Sequence, residues 1–207
     1  MRGTRWLCGV LFATLAFAGE TMNVSVCPLG RVSAKAVTGA EAEAVTLFRG
    51  IDVEIVWKGC EEAPIGQEAA DQHWFTVRLR DDGPAVEAET PSTDMLGAAF
   101  FSDNGGYVAD VYYREIQTLS SRKAIEPSTL LAYVMAHELG HLLLGPEHSP
   151  SGIMRAAWDN KDLEAVRMGW LQFGRAEIAR IHRVLQQSTL HEAAHNDGGR
   201  PPVSSLP

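Results

Sequence analysis

The sequence is short of basic clusters and of long apolar runs, and each shortage excludes a class of protein. Its 207 residues include 18 Lys and Arg against 26 Asp and Glu, and no stretch concentrates the basic side chains. An acidic chain without a basic patch is a poor candidate for nucleic-acid binding. Beyond the first twenty residues no segment is apolar enough to cross a membrane, so no membrane span is expected. Repeats and low-complexity tracts are also lacking, and 45% of the residues are apolar, which favours one globular domain over a disordered chain.

The N-terminal segment has the order of a secretory signal. Arg2 and Arg5 precede the apolar run Trp6–Ala18, which is shorter than the roughly 20 residues of a spanning helix and ends in the small residues Ala16 and Ala18. We therefore predict a signal peptide at 1–18 and a secreted, extracellular or periplasmic protein. Its removal would take away two arginines and lower the net charge from -8 to -10. Such a charge favours neutral or basic substrates.

Apolar periodicity predicts a mixed sheet with flanking helices. Strands at 22–26 and 51–57 enclose a helix at 33–48, an order typical of a parallel pair joined by a crossover helix. The remaining elements are strands at 74–80, 96–101 and 107–116, a hairpin turn at 102–106, a polar connection at 121–126, a helix at 127–144 with Ser128 as N-cap, a loop at 147–174 and a helix at 175–187. The predicted fold class is α+β with an α/β-like N-terminal half and a twisted sheet of about five strands. It forms one domain at 19–190, followed by a flexible tail at 191–207.

Cysteine is scarce, with three residues in the chain, and Cys8 lies inside the predicted signal. Cys27 and Cys60 remain, and an exported protein with two cysteines favours a disulfide. Each follows a predicted strand of the parallel pair, at the same end of the pair, which makes the bridge plausible. Two free buried thiols are the alternative.

The helix at 127–144 carries the pattern His137-Glu138-Leu139-Gly140-His141. Residues i and i+4 share one helix face a turn apart, so His137 and His141 can hold one metal ion. Glu138 projects beside that ion, where a general base for a metal-bound water belongs. A helix with these histidines and no metal is the alternative.

A catalytic zinc needs a third protein ligand and one open position. The chain turns at Gly145, and His148 is the next imidazole, which makes it the best third ligand. The tight turn at 151–154 follows and would place Met154 beneath the site as a packing residue. A second match, His191-Glu192-Ala193-Ala194-His195, stands before the polar tail without apolar flanks, and we interpret it as a coincidence or a weak surface metal binder.

Together, the motif, the third histidine and the Ser151-Gly152-Ile153-Met154 turn resemble the metzincin clan of zinc metallopeptidases. The chain has one residue more than the clan's usual spacing between His141 and Gly145, so Glu147 and Glu164 are alternative third ligands. The resemblance implies one catalytic Zn²⁺, an active-site helix followed by a Met-turn, and an edge strand that pairs with peptide substrate. The matching strand carries the small residues Gly97, Ala98 and Ala99.

The favoured hypothesis is a secreted, monomeric zinc-dependent endopeptidase that acts on a peptide or protein substrate. Its zinc would be held by His137, His141 and His148, with Glu138 as general base. The first alternative is a catalytically inactive zinc-binding or recognition domain of the same fold, and the second is a structural or interaction domain that binds no metal.

Overall fold

Five strands form one mixed sheet in the part of the chain that the structure, a computed structural model, describes: residues 19–64, 73–83, 95–102 and 105–197. The strands are β1 (Glu20–Pro28), β2 (Val53–Lys58), β3 (Trp74–Arg80), β4 (Gly97–Ser102) and β5 (Gly105–Tyr112). Their order across the sheet is β2-β1-β3-β5-β4, and every neighbouring pair is parallel except β4 with β5. The predicted α+β class, with about five strands and a parallel N-terminal part, is confirmed.

The helices of the same described residues are α1 (Ala34–Arg49), α2 (Tyr113–Lys123), α3 (Pro127–Leu144), α4 (Asn160–Arg167) and α5 (Arg175–Asp197). The α1 helix crosses from β1 to its parallel neighbour β2, as predicted. Ala36, Ala40, Ala44 and Phe48 recur every four residues on α1 and are all buried, so one apolar stripe attaches this helix to the core.

A disulfide joins Cys27 near the end of β1 to Cys60 just after β2, with the two Cα atoms 5.3 Å apart. The predicted bridge is therefore present. Because β1 and β2 run parallel, their C-terminal ends meet at one edge of the sheet, which brings the two cysteines within bonding reach.

The α3 helix is buried on nearly all sides, since it packs against α1, β4 and β5 and is also contacted by α2, α4 and α5. Its residues 130–136 are all buried, which explains why the segment is apolar without a polar stripe. It begins at Pro127, as predicted, but its N-cap is Glu126 and not Ser128. A helix held this firmly fixes the positions of the functional side chains in its second half.

Two helices were missing from the sequence prediction. The strand predicted at 107–116 ends at Tyr112, and α2 begins at the next residue and includes the first half of the predicted polar connection. Ile116, Leu119 and Ser120 are buried at helical spacing, whereas the apolar alternation of β5 had suggested a longer strand.

The predicted loop at 147–174 contains α4. The side chain of Asp159 caps this helix by accepting from the backbone N–H groups of Lys161 and Asp162. The side chain of Asp162 in turn accepts from the backbone N–H of Asp159. The last helix also continues to Asp197, beyond the predicted end at Gln187.

Several predictions fall outside the described residues, namely the signal at 1–18, the hairpin residues Asp103 and Asn104, and the tail beyond Asp197. The division into a signal, one domain and a tail therefore stays a prediction. None of the helices among the described residues is long and apolar enough to cross a membrane.

Candidate metal centre

Three histidine side chains converge at the C-terminal half of α3. His137 and His141 lie one helical turn apart, and their Nε2 atoms are separated by 3.1 Å. His148, seven residues beyond His141, places its own Nε2 atom 3.2 Å from that of His141. Ring nitrogens of all three residues lie within 4.8 Å of one another, which is the spacing of donors around a single ion.

The chain turn after α3 brings His148 to the site. The helix ends at Leu144, and Gly145 follows with φ of 98°, a backbone conformation that residues other than glycine rarely adopt. The Gly145 N–H still donates to the carbonyl of His141, 2.8 Å away, and the chain then leaves the helix axis. This turn absorbs the extra residue between His141 and Gly145, so His148 reaches the other two histidines.

The outer nitrogens of the two helical histidines are fixed by backbone carbonyls. Nδ1 of His137 lies 2.7 Å from the carbonyl of Ile153, and Nδ1 of His141 lies 2.9 Å from that of Gly145. A carbonyl can only accept, so each Nδ1 carries the proton and each Nε2 of the neutral ring presents a lone pair. Burial keeps the His137 ring neutral, because it lowers the pKa of that residue to about 4.

Two facing lone pairs 3.1 Å apart cannot hydrogen-bond to each other, and a cation between them satisfies both. Imidazole nitrogen is a preferred zinc ligand, and a hydrogen bond from Nδ1 to a carbonyl is the usual support of a zinc-bound histidine. The donor set therefore fits zinc, with three protein ligands.

Glu138 stands beside the histidines and is also buried, with 4% of its surface exposed. A Cβ atom added at Gly97 would lie 2.5 Å from Oε1 of Glu138, so the carboxylate rests against the edge strand β4 at a position that only glycine can occupy. Among the described residues Oε2 has no hydrogen-bond partner, and burial raises the pKa of Glu138 to about 8. A cation held by the neighbouring histidines would favour its ionised form.

Met154 packs against α3 between the two helical histidines. The residue is fully buried, and its Sδ atom lies so close to Gly140 that a side chain there would collide with it. The turn closes on itself, because the Ser149 N–H donates to the carbonyl of Met154 over 2.8 Å. Met154 thus supports the helix between His137 and His141 from below.

Residues of α5 hold the turn in place. The buried carboxylate of Glu177 accepts from the hydroxyl of Ser149, next to His148, and from the N–H of Gly174 at 2.6 Å. Arg180 donates to the carbonyl of Leu144 at the end of α3 over 2.5 Å. These bonds support the segment that carries His148, and the sequence had not indicated them.

A cleft of about 1110 Å³ opens over the histidines. The edge strand β4 lines it with Gly97, Ala98 and Ala99, and the segment 155–160, including Trp158, lines it as well. The indole of Trp158 packs edge-on against His137 at 6.0 Å between ring centres, and its N–H donates to the carbonyl of Ile153. The cleft is therefore open to a chain laid along β4 and reaches the three histidines.

Neither alternative ligand belongs to the cluster of three histidines. Glu147 is exposed, and Glu164 forms an ion pair with Arg167 on the surface of α4. The second motif lies on α5, so His191 and His195 keep helical spacing, but their side chains lie outside the described residues.

Sequence reasoning missed the far part of the cleft wall, because it belongs to the two helices that were not predicted. Leu119 and Lys123 come from α2, and Asn160 and Leu163 from α4. The pairing of Asp159 with Asp162 is a helix-start pattern and could have revealed α4.

No protein-family model matches the chain, and no curated protein is significantly similar to it. Among solved structures it is similar to the 1.5 Å crystal structure of archaemetzincin from Methanopyrus kandleri, with 17% sequence identity and a TM-score of 0.49. The alignment covers 82% of this chain and 98% of that one. The interpretation of the site depends on its own geometry.

Proposed function

We propose that this protein is a secreted zinc-dependent endopeptidase of metzincin type. One observation carries the proposal: three histidine nitrogens converge beside a buried glutamate whose carboxylate has an unpartnered oxygen among the described residues. This combination supplies three metal ligands and a neighbouring base, while the cleft leaves one side of the cluster accessible.

His137, His141 and His148 would hold the zinc. When bound, zinc would polarise the scissile carbonyl and make a water molecule at the site more acidic. Glu138 would accept the proton of the attacking water at its carboxylate and deliver it to the leaving amine. In the described part of the chain Oε2 has no protein partner, which suits this role because that oxygen is available to a water molecule.

The edge strand would hold the substrate. Within the described sheet β4 pairs with β5 on one side only, so its other edge can pair with an extended peptide. Gly97, Ala98 and Ala99 line the cleft with little side-chain bulk, and the main chain of a substrate can approach closely. Such pairing would bring the scissile bond over Glu138, which touches the same strand at Gly97.

Secretion is supported by the bridge between Cys27 and Cys60, because disulfides persist mainly in oxidising compartments. The order of charged, apolar and small residues at 1–18 supports it independently.

The test is hydrolysis of denatured casein by the purified zinc-loaded protein and by its Glu138→Gln variant. We expect the variant to keep one equivalent of zinc and to lose hydrolysis by at least about 100-fold, in the range of a general base. Glu147→Gln, at an exposed position outside the cluster, serves as the matched control and should retain activity. Undiminished cleavage by Glu138→Gln would overturn the mechanism, and a zinc-loaded wild type without hydrolysis would favour the inactive recognition domain.

A further inference from the structure

We propose that the cleft selects peptides that carry a carboxylate, and that Lys123 binds this group beyond the metal centre. This inference rests on the proposed peptidase function and specifies its substrate class. The carboxylate can come from an Asp or Glu side chain or from a peptide C-terminus, since both offer the same acceptor oxygens.

Beside the histidines, the lining of the cleft includes an apolar section formed by Leu119, Val134 and Leu163. Val134 precedes His137 by three residues, so both lie on the same face of α3, and both line the cleft. Leu119 of α2 and Leu163 of α4 line it as well, and all three apolar side chains are buried. A substrate side chain that enters this section leaves water and meets methyl groups.

Lys123 stands at the last turn of α2 and lines the same cleft. Its Nζ atom donates to Oδ1 of Asn160 over 2.8 Å, and this amide is neutral. Among the described residues no carboxylate lies within ion-pair distance of Lys123, so none of them neutralises its charge. An ammonium group has three N–H donors, and within the described part of the chain only the bond to Asn160 occupies one of them.

The described carboxylates that line the cleft do not offset the positive charge of Lys123. Arg155 is paired with Asp159 at 2.8 Å and with Asp162 at 2.5 Å. Glu138 is therefore the one described carboxylate of the lining that is not paired with a basic side chain, and it belongs to the metal centre.

The local charge outweighs the charge of the whole chain. The net charge of -8 disfavours acidic ligands at long range, but salt screens such interactions beyond about 8 Å at physiological ionic strength. A carboxylate in contact with Lys123 is inside that distance. An apolar section with an ammonium group at its wall thus fits a short acidic side chain better than a basic one.

The experiment compares cleavage of C-terminally amidated peptides that carry Glu, Gln, Asp, Asn or Lys at each position around the scissile bond and are otherwise identical. We expect one position at which the acidic peptide has about a tenfold higher kcat/KM. Lys123→Met should reduce that ratio to about one, and Lys123→Glu should make Lys the preferred residue there. Lys161→Met is the matched control, because Lys161 is exposed on α4 and does not line the cleft.

A second measurement separates this inference from the proposed function. Binding of the same peptides, and of versions with a free C-terminus, to the zinc-loaded Glu138→Gln variant is measured by fluorescence anisotropy, with and without Lys123→Met. Tighter binding of acidic peptides that depends on Lys123 supports the inference even if no peptide is cleaved. A preference for a free C-terminus over an amide would identify the main-chain carboxylate as the ligand. Equal binding of acidic and neutral peptides, or a preference that survives Lys123→Met, would overturn it.

Discussion

Nε2 of His137 and Nε2 of His141 face each other across 3.1 Å, and neither can donate to the other. The Nδ1–H group of each ring donates to a backbone carbonyl. His137 donates to the carbonyl of Ile153, and His141 donates to that of Gly145. The arrangement brings lone pairs together, which is unfavourable unless a cation lies between them. The first predictions follow from this relationship.

Zinc should stabilise the folded protein. At a free concentration 100 times the dissociation constant, a ligand that binds only the native state adds about 2.7 kcal/mol. For a chain of this size that corresponds to a rise in Tm of roughly 5–10 °C. Calorimetry with zinc, with a chelator and with Mg²⁺ as the control cation checks this, and a Tm that does not respond to zinc would contradict the three-histidine site.

His148→Ala should weaken zinc binding by about 100-fold or more, because it removes one of three protein ligands. Loss of a group that only hydrogen-bonds to a ligand already costs about 10–100-fold in metal affinity. A zinc titration against a competing chelator measures the change. His182→Ala, on α5 and outside the cluster, is the matched control. Equal affinities of the two variants would show that another donor completes the site.

Glu177→Ala should weaken zinc binding about tenfold without touching a ligand. The substitution leaves the hydroxyl of Ser149 and the N–H of Gly174 without their shared acceptor, so the segment with His148 loses its support on α5. Unfolding in urea should show a loss of about 1–3 kcal/mol from the unpaired groups. Glu164→Ala removes a surface ion pair and should change neither quantity appreciably.

Gly97→Ala should lower kcat about tenfold or more while zinc content stays at the wild-type level. The new methyl group would stand 2.5 Å from Oε1 of Glu138, so the carboxylate or the strand must move. Peptide hydrolysis and metal analysis on the same preparation check both parts. Wild-type kcat in this variant would mean that Glu138 acts from another position.

Replacement of Cys27 and Cys60 by serine should lower the free energy of unfolding by about 4 kcal/mol, as expected for a loop of 33 residues in the chain-entropy model. Urea denaturation of the oxidised wild type and of the double variant measures the difference. The reduced wild type should match the variant, and a wild type whose stability is independent of reductant would contradict the prediction.

Sequence patterns predicted those features of this protein that depend on the spacing and the order of residues along the chain. The i, i+4 spacing of His137 and His141 places both rings on one helix face wherever that helix lies. The parallel unit of β1, α1 and β2 follows from a strand, a helix and a strand in succession, and it brings Cys27 and Cys60 to one edge of the sheet.

The sequence pattern did not indicate where β5 ends and α2 begins. The alternating residues of β5 continue into Tyr113 without a turn residue, and only burial of Ile116 and Leu119 distinguishes the helix from a longer strand. Propensity is a weak signal for so polar a segment, and packing against α3 determines its structure.

The sequence by itself determined that two histidines and a glutamate share one turn of a helix, because the helical period fixes their relative directions. Only the tertiary structure decided that His148 and not Glu147 or Glu164 completes the cluster, since the turn at Gly145 and the bonds from Glu177 set the course of the chain. It also decided which residues of α2 and α4 face the cleft. Contacts between elements distant in sequence leave no periodic signal, and they become visible only when the chain has packed.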